Sequence, residues 1–386
     1  NNVVDTEHDA IKGAPTLKEV SIEDLLPRDE ICVDLESVAE SLRGKRILIT
    51  GSAGSIGSEI VRQVASFAPS NMMLIDSAET PQHDIRRMMA RDFPSVPCAT
   101  VVTSITKADR MENIFKTFLP EYVFHAAAYK HVPMMEDNPC ESIQNNVLGT
   151  KILADLSVKY GVRRFVMVST DKAVNPTNVM GCSKRICEVY VQSLNKAERD
   201  GVVKGQTQFI TTRFGNVLGS NGSVIPIFER QIKAGGPVTV TDPNIIRYFM
   251  LIPEACELVL EAGTKGEGGE IFVFDMGKPV RIADLARRMI ELSGAKGVEI
   301  KYTGLRDGEK LYEEVLSESE ATKPSFHEKI RIACVREYDW SDVSREIDAL
   351  IAQSHTYDDM AVVASMKRLV PEYISNHSKY TVLDHK

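Results

Sequence analysis

The residue types best suited to acid–base chemistry stand together in the stretch Thr170-Asp171-Lys172, at the end of an apolar run. A hydroxyl, a carboxylate and an ammonium group at successive positions can donate, accept and exchange protons with one substrate. A surface ion pair is the alternative, and it would contribute less than ~1 kcal/mol to stability. The chemical interpretation is favoured because the run is the fifth of six predicted strands. Ligands of a parallel sheet bind beyond the carboxyl ends of its strands.

A glycine-rich turn near the start of the chain predicts the binding of a dinucleotide. An aliphatic run ending at Thr50 leads directly into Gly51, Gly54 and Gly57, and an amphipathic helical pattern follows. In a strand–turn–helix unit such glycines allow a sharp turn, close approach of a pyrophosphate and tight packing of helix on strand. The helix N-terminus offers free N–H groups to the anion. The alternative is a purely structural turn.

An acidic residue in the expected position predicts NAD rather than NADP as the cofactor. Asp76 ends the second predicted strand, about 20 residues beyond the last glycine. A carboxylate there accepts hydrogen bonds from the ribose 2′-OH and repels a 2′-phosphate; the alternative is a surface Asp that caps the turn. The cofactor residues assigned from this turn and the strand ends are Gly51, Ser52, Gly54, Ser55, Ile56, Gly57, Asp76, Ser77, Ser104, Ile105, Ala126, Ala127 and Ala128.

The elements that must position these residues alternate regularly between strand and helix. Strands are predicted at 46–50, 71–75, 99–103, 121–125, 164–169 and 208–213, with helical patterns between them. Strands that are apolar throughout and separated by helices predict a parallel sheet covered on both faces. The fold class is therefore α/β, a Rossmann-type doubly wound parallel sheet with a smaller C-terminal α/β substrate lobe.

The chain divides by pattern into four parts. We expect an N-terminal arm at 1–44, an NAD-binding domain at 45–215, a substrate lobe at 216–340 with return elements to the sheet, and a helical tail at 341–386. The lobe begins with a Gly/Ser/Asn loop that ends at Ser223, a composition typical of ligand-facing segments. Arg247 and Arg306 are available there for a phosphorylated substrate. Lys130 supplies a further cation after the fourth strand.

Composition excludes several classes of function. A net charge of −8 over 386 residues argues against broad nucleic-acid binding. Seven cysteines without a Cys-x-x-Cys pair predict neither a metal site nor a disulfide framework, and favour a reducing compartment. No run of about 18 apolar residues is present, so we expect no membrane segment in this chain. Because the sequence starts Asn-Asn rather than Met, we expect it to be part of a longer protein.

The motifs together resemble the extended short-chain dehydrogenases/reductases. Within that group, the stretches 128–139, 169–176, 213–220, 247–250 and 304–314 are similar to the CapD-like polysaccharide-biosynthesis proteins that act as UDP-N-acetylglucosamine 4,6-dehydratases. The resemblance covers about residues 18–335. It implies a UDP-4-keto-6-deoxy sugar as product, formed by oxidation at C4, elimination of water across C5 and C6, and return of hydride to C6, with NAD as cofactor.

The resemblance also implies roles for individual residues. Asp171 acts as the acid toward the C6 oxygen, Lys172 as the base at C5, and Thr170 as the hydrogen-bond partner of the C4 hydroxyl. Lys184 and Asn146 belong to the cofactor site, Lys184 at the nicotinamide ribose. The substrate residues are Lys130, Asn216, Ser223, Arg247, Arg306 and Glu309.

Three positions depart from the family pattern, and the third, Asp307 where Pro is common, is expected to be harmless. Met180 stands where the usual Tyr-x-x-x-Lys motif, ending here at Lys184, has its tyrosine. A thioether cannot deprotonate a hydroxyl, so the C4 proton leaves by another route, through Asp171 or water. The same replacement occurs in the larger, membrane-anchored dehydratases that retain the configuration at C5. Ser104 stands where Asp more often binds the adenine amino group.

Three functions remain open at this point. The 4,6-dehydratase is favoured; a UDP-sugar 4-epimerase would not need an Asp171–Lys172 pair, and a non-catalytic NAD-binding sensor would explain Met180. The helices after Asn146 and around Tyr190 are expected to form the four-helix homodimer interface common in the family. We expect a location on the cytoplasmic side, in a parent protein anchored in the inner membrane.

Overall fold

A computed structural model describes Leu25 and residues 31–218, 223–314 and 321–384. Residues 1–30 of the expected N-terminal arm lie outside the described residues except for Leu25, which is buried. All six strands predicted from 46 to 213 are present, with ends that differ by at most one residue. The fold class is confirmed.

The strands of the structure, in chain order, are as follows. They are β1 Arg46–Thr50, β2 Asn71–Asp76, β3 Cys98–Val102, β4 Tyr122–His125, β5 Arg164–Thr170, β6 Gln208–Phe214, β7 Asn216–Leu218, β8 Val238–Val240, β9 Ile246–Arg247, β10 Phe249–Leu251, β11 Ile271–Phe274, β12 Val280–Arg281, β13 Ile300–Tyr302, β14 Ala321–Pro324 and β15 Ile330–Cys334.

The described residues contain thirteen α-helices. They are α1 Leu35–Leu42, α2 Ser55–Ser66, α3 Glu79–Asp92, α4 Ala108–Phe118, α5 Val132–Asp137, α6 Pro139–Ser142, α7 Gly149–Lys159, α8 Val179–Arg199, α9 Val224–Lys233, α10 Ile252–Lys265, α11 Ile282–Ser293, α12 Trp340–Ser354 and α13 Asp359–Leu369.

One nine-stranded sheet forms the centre of the protein, in the order β14-β15-β11-β6-β5-β4-β1-β2-β3. The strands from β11 to β3 run parallel, and β14 and β15 are added antiparallel at one edge. The strand order reverses between β1 and β4, which is where a doubly wound sheet opens a crevice for its ligand.

Helices cover both faces of this sheet, which explains its uninterrupted apolar strands. One core packs α2, α3 and α10 against the sheet, and the other packs α4, α7 and α8 against the opposite face. The four residues 47–50 of β1 are fully buried between them. The two cores hold the strand ends, and hence the candidate site, in one rigid frame.

The C-terminal lobe has a separate core and three two-stranded sheets, β7 with β10, β9 with β12 and β8 with β13. Its helices α9 and α11 pack on these short strands. Residues 271–274 and 321–334 leave the lobe and complete the central sheet. The lobe is therefore tied to the sheet by several chain crossings.

The C-terminal helices α12 and α13 pack on α8 and on the π-helical turn Ile143–Leu148 that precedes α7. Leu350, Val363 and Met366 share one apolar core with Ile186 and Tyr190 of α8. The tail of the same chain therefore covers the helix around Tyr190, one of the elements expected to form a homodimer interface. The π turn also shows that Asn146 lies inside a helical segment rather than at its start.

No helix in the described ranges combines the length and the apolar character needed to cross a membrane.

Candidate active site

The glycine turn after β1 is shaped to receive an anion. Gly51 has φ +69°, and a Cβ there would lie 2.7 Å from the backbone nitrogen of Ala127. A Cβ on Gly57 would lie 1.8 Å from the carbonyl oxygen of Gly51, so only glycine lets α2 approach the turn. At Gly54, by contrast, an added Cβ meets only one atom within 4 Å, at 3.4 Å. Gly54 thus leaves open space at the start of α2, which fits a pyrophosphate.

Asp76 braces this turn and faces the same cavity. One carboxylate oxygen accepts from the backbone N–H of Ala53 at 3.0 Å, and the other accepts from that of Ala78 at 2.9 Å. The carboxylate is therefore fixed beside the site where the sequence predicts a ribose. Ser77, Ser104 and the remaining residues assigned to the strand ends also line the cavity, with Ser52 as the exception.

Two residues assigned to the cofactor, Ser52 and Asn146, do not line the cavity in the structure. The fully buried Ser52 hydroxyl donates to Oε1 of Gln82 at 2.9 Å. The side-chain oxygen of Asn146 accepts from the backbone N–H of Tyr129, and its Nδ2 donates to the carbonyl of Tyr129 and to the Ser183 hydroxyl. Both side chains have their hydrogen bonds satisfied within the protein, so they support the site instead of binding in it.

The acid–base candidates are in mutual contact at the end of β5. The Thr170 hydroxyl donates to Oδ1 of Asp171 at 3.2 Å, and Nζ of Lys172 lies 3.5 Å from the same oxygen. Lys172 also donates to Oδ1 of Asn216 at 3.1 Å. Asp171 is 1% exposed, while Thr170 and Lys172 line the cavity. The second oxygen of Asp171 is buried and has no partner in the part of the chain that the structure describes.

Two glycines make room for this cluster. A Cβ on Gly215 would lie 2.8 Å from the unpartnered oxygen of Asp171, so a side chain there would cover the carboxylate. A Cβ on Gly181 would lie 2.2 Å from the carbonyl oxygen of Lys172. Glycine at 181 therefore lets the start of α8 pack directly on the turn that carries Asp171 and Lys172.

The helix α8 brings Met180 and Lys184 to the same cavity. Burial lowers the pKa of Lys184, which is 5% exposed. Burial, and then the charge of Lys184, hold the pKa of His125 well below its usual range. The neutral His125 ring bridges the Thr50 and Thr150 hydroxyls at 2.7 and 2.8 Å, which joins β1, β4 and α7 beneath the site.

A buried ion network fixes the strand that delivers the cluster. Glu188 on α8 is fully buried, accepts from the Ser169 hydroxyl at 2.6 Å and pairs with Arg213 of β6 at 2.7 Å. Arg185 adds a second guanidinium at 3.1 Å. These contacts lock β5, β6 and α8 together one residue before Thr170. Sequence reasoning missed them because Arg213 lies 25 residues from Glu188 and their pairing carries no motif.

The far end of the cavity is lined by charged groups of the lobe. Arg247 is 7% exposed, donates to the carbonyl of Lys310 at 2.7 Å and lies 3.9 Å from a carboxylate oxygen of both Glu309 and Glu313. Arg306 is exposed and also lines the cavity. Glu313 was missed, although it lies in a quoted motif; burial raises the pKa of its carboxyl, whose Oε2 has no hydrogen-bond partner among the described residues.

One continuous cavity of about 1000 Å³ connects all these groups. It runs from the glycine turn, past Thr170 and Lys172, to Arg306 and Glu309. Lys130, Asn216 and Ser223, which the sequence assigned to the substrate, line its walls. Burial and then the charge of Lys172 lower the pKa of Lys130. The cavity therefore joins the glycine turn, the acid–base cluster and an end lined by two arginines and two glutamates.

Known proteins similar to this chain include a polysaccharide biosynthesis protein and a UDP-sugar epimerase. The family described as "Polysaccharide biosynthesis protein" matches residues 47–335. Capsular polysaccharide biosynthesis protein CapD of Staphylococcus aureus is 47% identical over 87% of this chain and 55% of its own length. A UDP-glucose 4-epimerase of Rickettsia canadensis is 35% identical over 72% of this chain and 80% of that protein. The chain thus spans little more than half of CapD.

A solved structure is also similar. The X-ray structure of Pen from Bacillus thuringiensis superposes with a TM-score of 0.70 at 31% identity, over 75% of this chain and 89% of that chain. The match extends the similarity from the sequence motifs to the arrangement of the sheet and its helices.

Proposed function

Since this chain belongs to the polysaccharide biosynthesis protein family, we propose that it is an NAD-dependent 4,6-dehydratase of UDP-N-acetylglucosamine. The product is a UDP-4-keto-6-deoxy-N-acetylhexosamine for glycan or polysaccharide synthesis. Family membership and the similarity to a UDP-glucose 4-epimerase support a nucleotide-sugar epimerase or dehydratase. The narrower assignment rests on one observation, the contact of Thr170, Asp171 and Lys172 beside the cavity.

That cluster has the chemistry that elimination of water demands. Lys172, at the cavity surface, removes the proton from C5 of the 4-keto sugar and holds it on Nζ. Asp171 takes the proton that the C4 hydroxyl loses on oxidation and gives it to the C6 oxygen as the C6–O bond breaks and water leaves. The Thr170 hydroxyl, already bonded to Asp171, binds the oxygen at C4 and orients the ring. The protons on Nζ of Lys172 exchange with water, and Lys172 then delivers one to the same face of C5, so the configuration there is retained.

The glycine cradle and Asp76 support NAD as the group beside this cluster. Gly54 leaves room for the pyrophosphate, Asp76 accepts from a ribose hydroxyl, and Lys184 holds the second ribose. When bound, NAD supplies the hydride acceptor and donor for C4 and C6. Met180 packs at this end with 3% of its surface exposed and takes no proton.

The two arginines at the far end of the cavity support a nucleoside diphosphate on the sugar. Arg247 and Arg306 bind phosphate oxygens, since guanidinium groups match that geometry. Glu309 accepts hydrogen bonds from the nucleoside, and Lys130, Asn216 and Ser223 line the space between it and the acid–base cluster. We also propose that this chain lies on the cytoplasmic side, in a parent protein anchored in the inner membrane.

Incubation with UDP-N-acetylglucosamine in deuterated water tests the function. Loss of one water with deuterium at C5, seen by mass spectrometry and proton NMR, is the expected result, and the ring couplings report whether C5 is retained. An unchanged mass with a galacto-configured product would replace the dehydratase with an epimerase.

The 4-epimerase is the second candidate, because the Rickettsia canadensis relative bears that activity in its name. It needs hydride removal and return at C4 alone. The Lys172–Asp171 contact favours the dehydratase, since epimerisation has no use for a base at C5 beside an acid.

A further inference from the structure

The chain after residue 335, which lies outside the family match, reaches back to the candidate site. The tail helices end at Leu369, and the segment from 374 to 378 runs along residues 176–178, just before α8. There the backbone N–H of Ile374 donates to the carbonyl of Pro176 at 3.1 Å, and that of Asn376 donates to the carbonyl of Thr177 at 3.2 Å. The segment is thus joined to the stretch that follows the acid–base cluster.

The same segment holds the substrate loop 304–314 from its other side. The backbone N–H of Gly308 donates to the carbonyl of Asn376 at 2.7 Å, and Nδ2 of Asn376 donates to the carbonyl of Glu309 at 2.7 Å. The carbonyl of Gly308 in turn accepts from the Thr177 hydroxyl at 2.8 Å. Asn376 therefore connects the loop that carries Arg306 and Glu309 to the segment beneath the cluster.

A buried carboxylate anchors this junction. Glu136 is 3% exposed, accepts from the backbone N–H of Val179 at the first turn of α8, and accepts from the Ser378 hydroxyl at 2.8 Å. A Cβ on Gly308, whose φ is +77°, would lie 2.7 Å from Cβ of Asn178, so loop and helix start are in direct contact. The position of the loop thus depends on the tail as well as on the lobe.

We propose that Asn376 is a positioning residue for the nucleotide end of the site: its amide holds the Arg306–Glu309 turn in the conformation that binds the substrate diphosphate. This inference rests on the proposed function, because it takes that loop as the UDP-binding element. A loop held before binding loses less conformational freedom when the ligand arrives, so affinity rises. The tail is accordingly part of the site and more than a cover for α8.

The decisive variant is Asn376→Asp, which keeps the size of the side chain but replaces the donor that faces the Glu309 carbonyl with an acceptor. The backbone bonds of residue 376 remain. Loss of one such hydrogen bond is expected to raise the Kd for UDP about three- to tenfold. KM for the nucleotide sugar should rise by a similar factor, with kcat nearly unchanged, because the acid–base cluster is untouched. Asn376→Ala should show the same direction.

Ile374→Ala is the matched control. Its side chain is 61% exposed in the same segment, and its backbone bond to Pro176 does not depend on the side chain. Calorimetric titration with UDP, together with hydrogen exchange of a peptide covering 304–314, should show weaker binding and faster exchange in Asn376→Asp but not in Ile374→Ala. Melting temperatures should stay equal.

Unchanged exchange in Asn376→Asp would overturn the proposal, as would faster exchange with an unaltered Kd. A wild-type chain that does not bind UDP would overturn the nucleotide assignment instead. The exchange measurement would then still decide whether Asn376 holds the loop, so the two failures are distinguishable.

Discussion

The Nζ of Lys172 donates a hydrogen bond to Oδ1 of Asn216, 3.1 Å away. Lys172 follows β5 and Asn216 begins β7, so the contact ties the acid–base turn to the first strand of the lobe. The sequence assigned Asn216 to the nucleotide; in the structure it lines the cavity, and its amide oxygen also accepts from Nζ of Lys172. A lysine held on two sides, by Asn216 and by Asp171, presents Nζ to the cavity in one direction.

Lys172→Met should abolish product formation while NAD still binds. Methionine keeps the length and apolar stem of the side chain but cannot take a proton, so elimination has no base. Turnover should fall at least about 100-fold, the lower end of what general base catalysis contributes. Lys301→Met, an exposed position on β13, is the control and should be neutral. Full activity in Lys172→Met would refute the proposed mechanism.

Met180→Leu should keep turnover within about threefold of the wild type. Met180 is 3% exposed and packs in the apolar core of α8, and a volume-conserving exchange in such a core is well tolerated. If the thioether has no chemical role, steady-state kinetics will show little change. Met180→Tyr should not raise turnover either; a large gain would mean that a phenol can handle the C4 proton better than the present groups do.

Glu188→Gln should lower the free energy of unfolding by about 3–5 kcal/mol, measured by urea denaturation. The substitution leaves the buried guanidinium of Arg213 beside a neutral amide, and Arg185 loses the same partner. The control is Glu112→Gln, which removes the exposed ion pair with Lys159 and should lower the free energy of unfolding far less. Equal losses in the two variants would show that the buried network contributes no more than a surface pair.

The sequence predicted the frame of this site better than its supporting contacts. Local rules identify the strands and the glycine turn, because each depends on a few consecutive residues such as Gly51 to Gly57. The hydrogen bonds of Ser52 and Asn146 could not be predicted, because their partners Gln82 and Ser183 lie 30 and 37 residues away in the chain. The packing of the tail on α8 could not be predicted either, because the apolar periodicity of the tail does not show which surface it covers.

Glu198→Gln should change how stability depends on pH. Burial raises the pKa of Glu198 from 4.5 to about 7, against the smaller lowering effect of the backbone N–H of Thr207 that donates to its Oε1. Between these two values the native chain holds a proton that the unfolded chain has released. Stability therefore falls as pH rises through this window, and above the folded pKa the loss is complete.

The Glu198→Gln variant cannot ionise, and its amide oxygen can still accept from Thr207. Its stability relative to the wild type should therefore increase from pH 4.5 to pH 7 and stay constant above. An increase of about 1–2 kcal/mol is expected, because solvent reaches this half-buried group and weakens the effect. Urea denaturation at several pH values measures the difference. Glu346→Gln, at an exposed position of α12, is the control and should leave the pH profile unchanged. Parallel profiles for Glu198→Gln and the wild type would show that burial does not keep this carboxyl protonated.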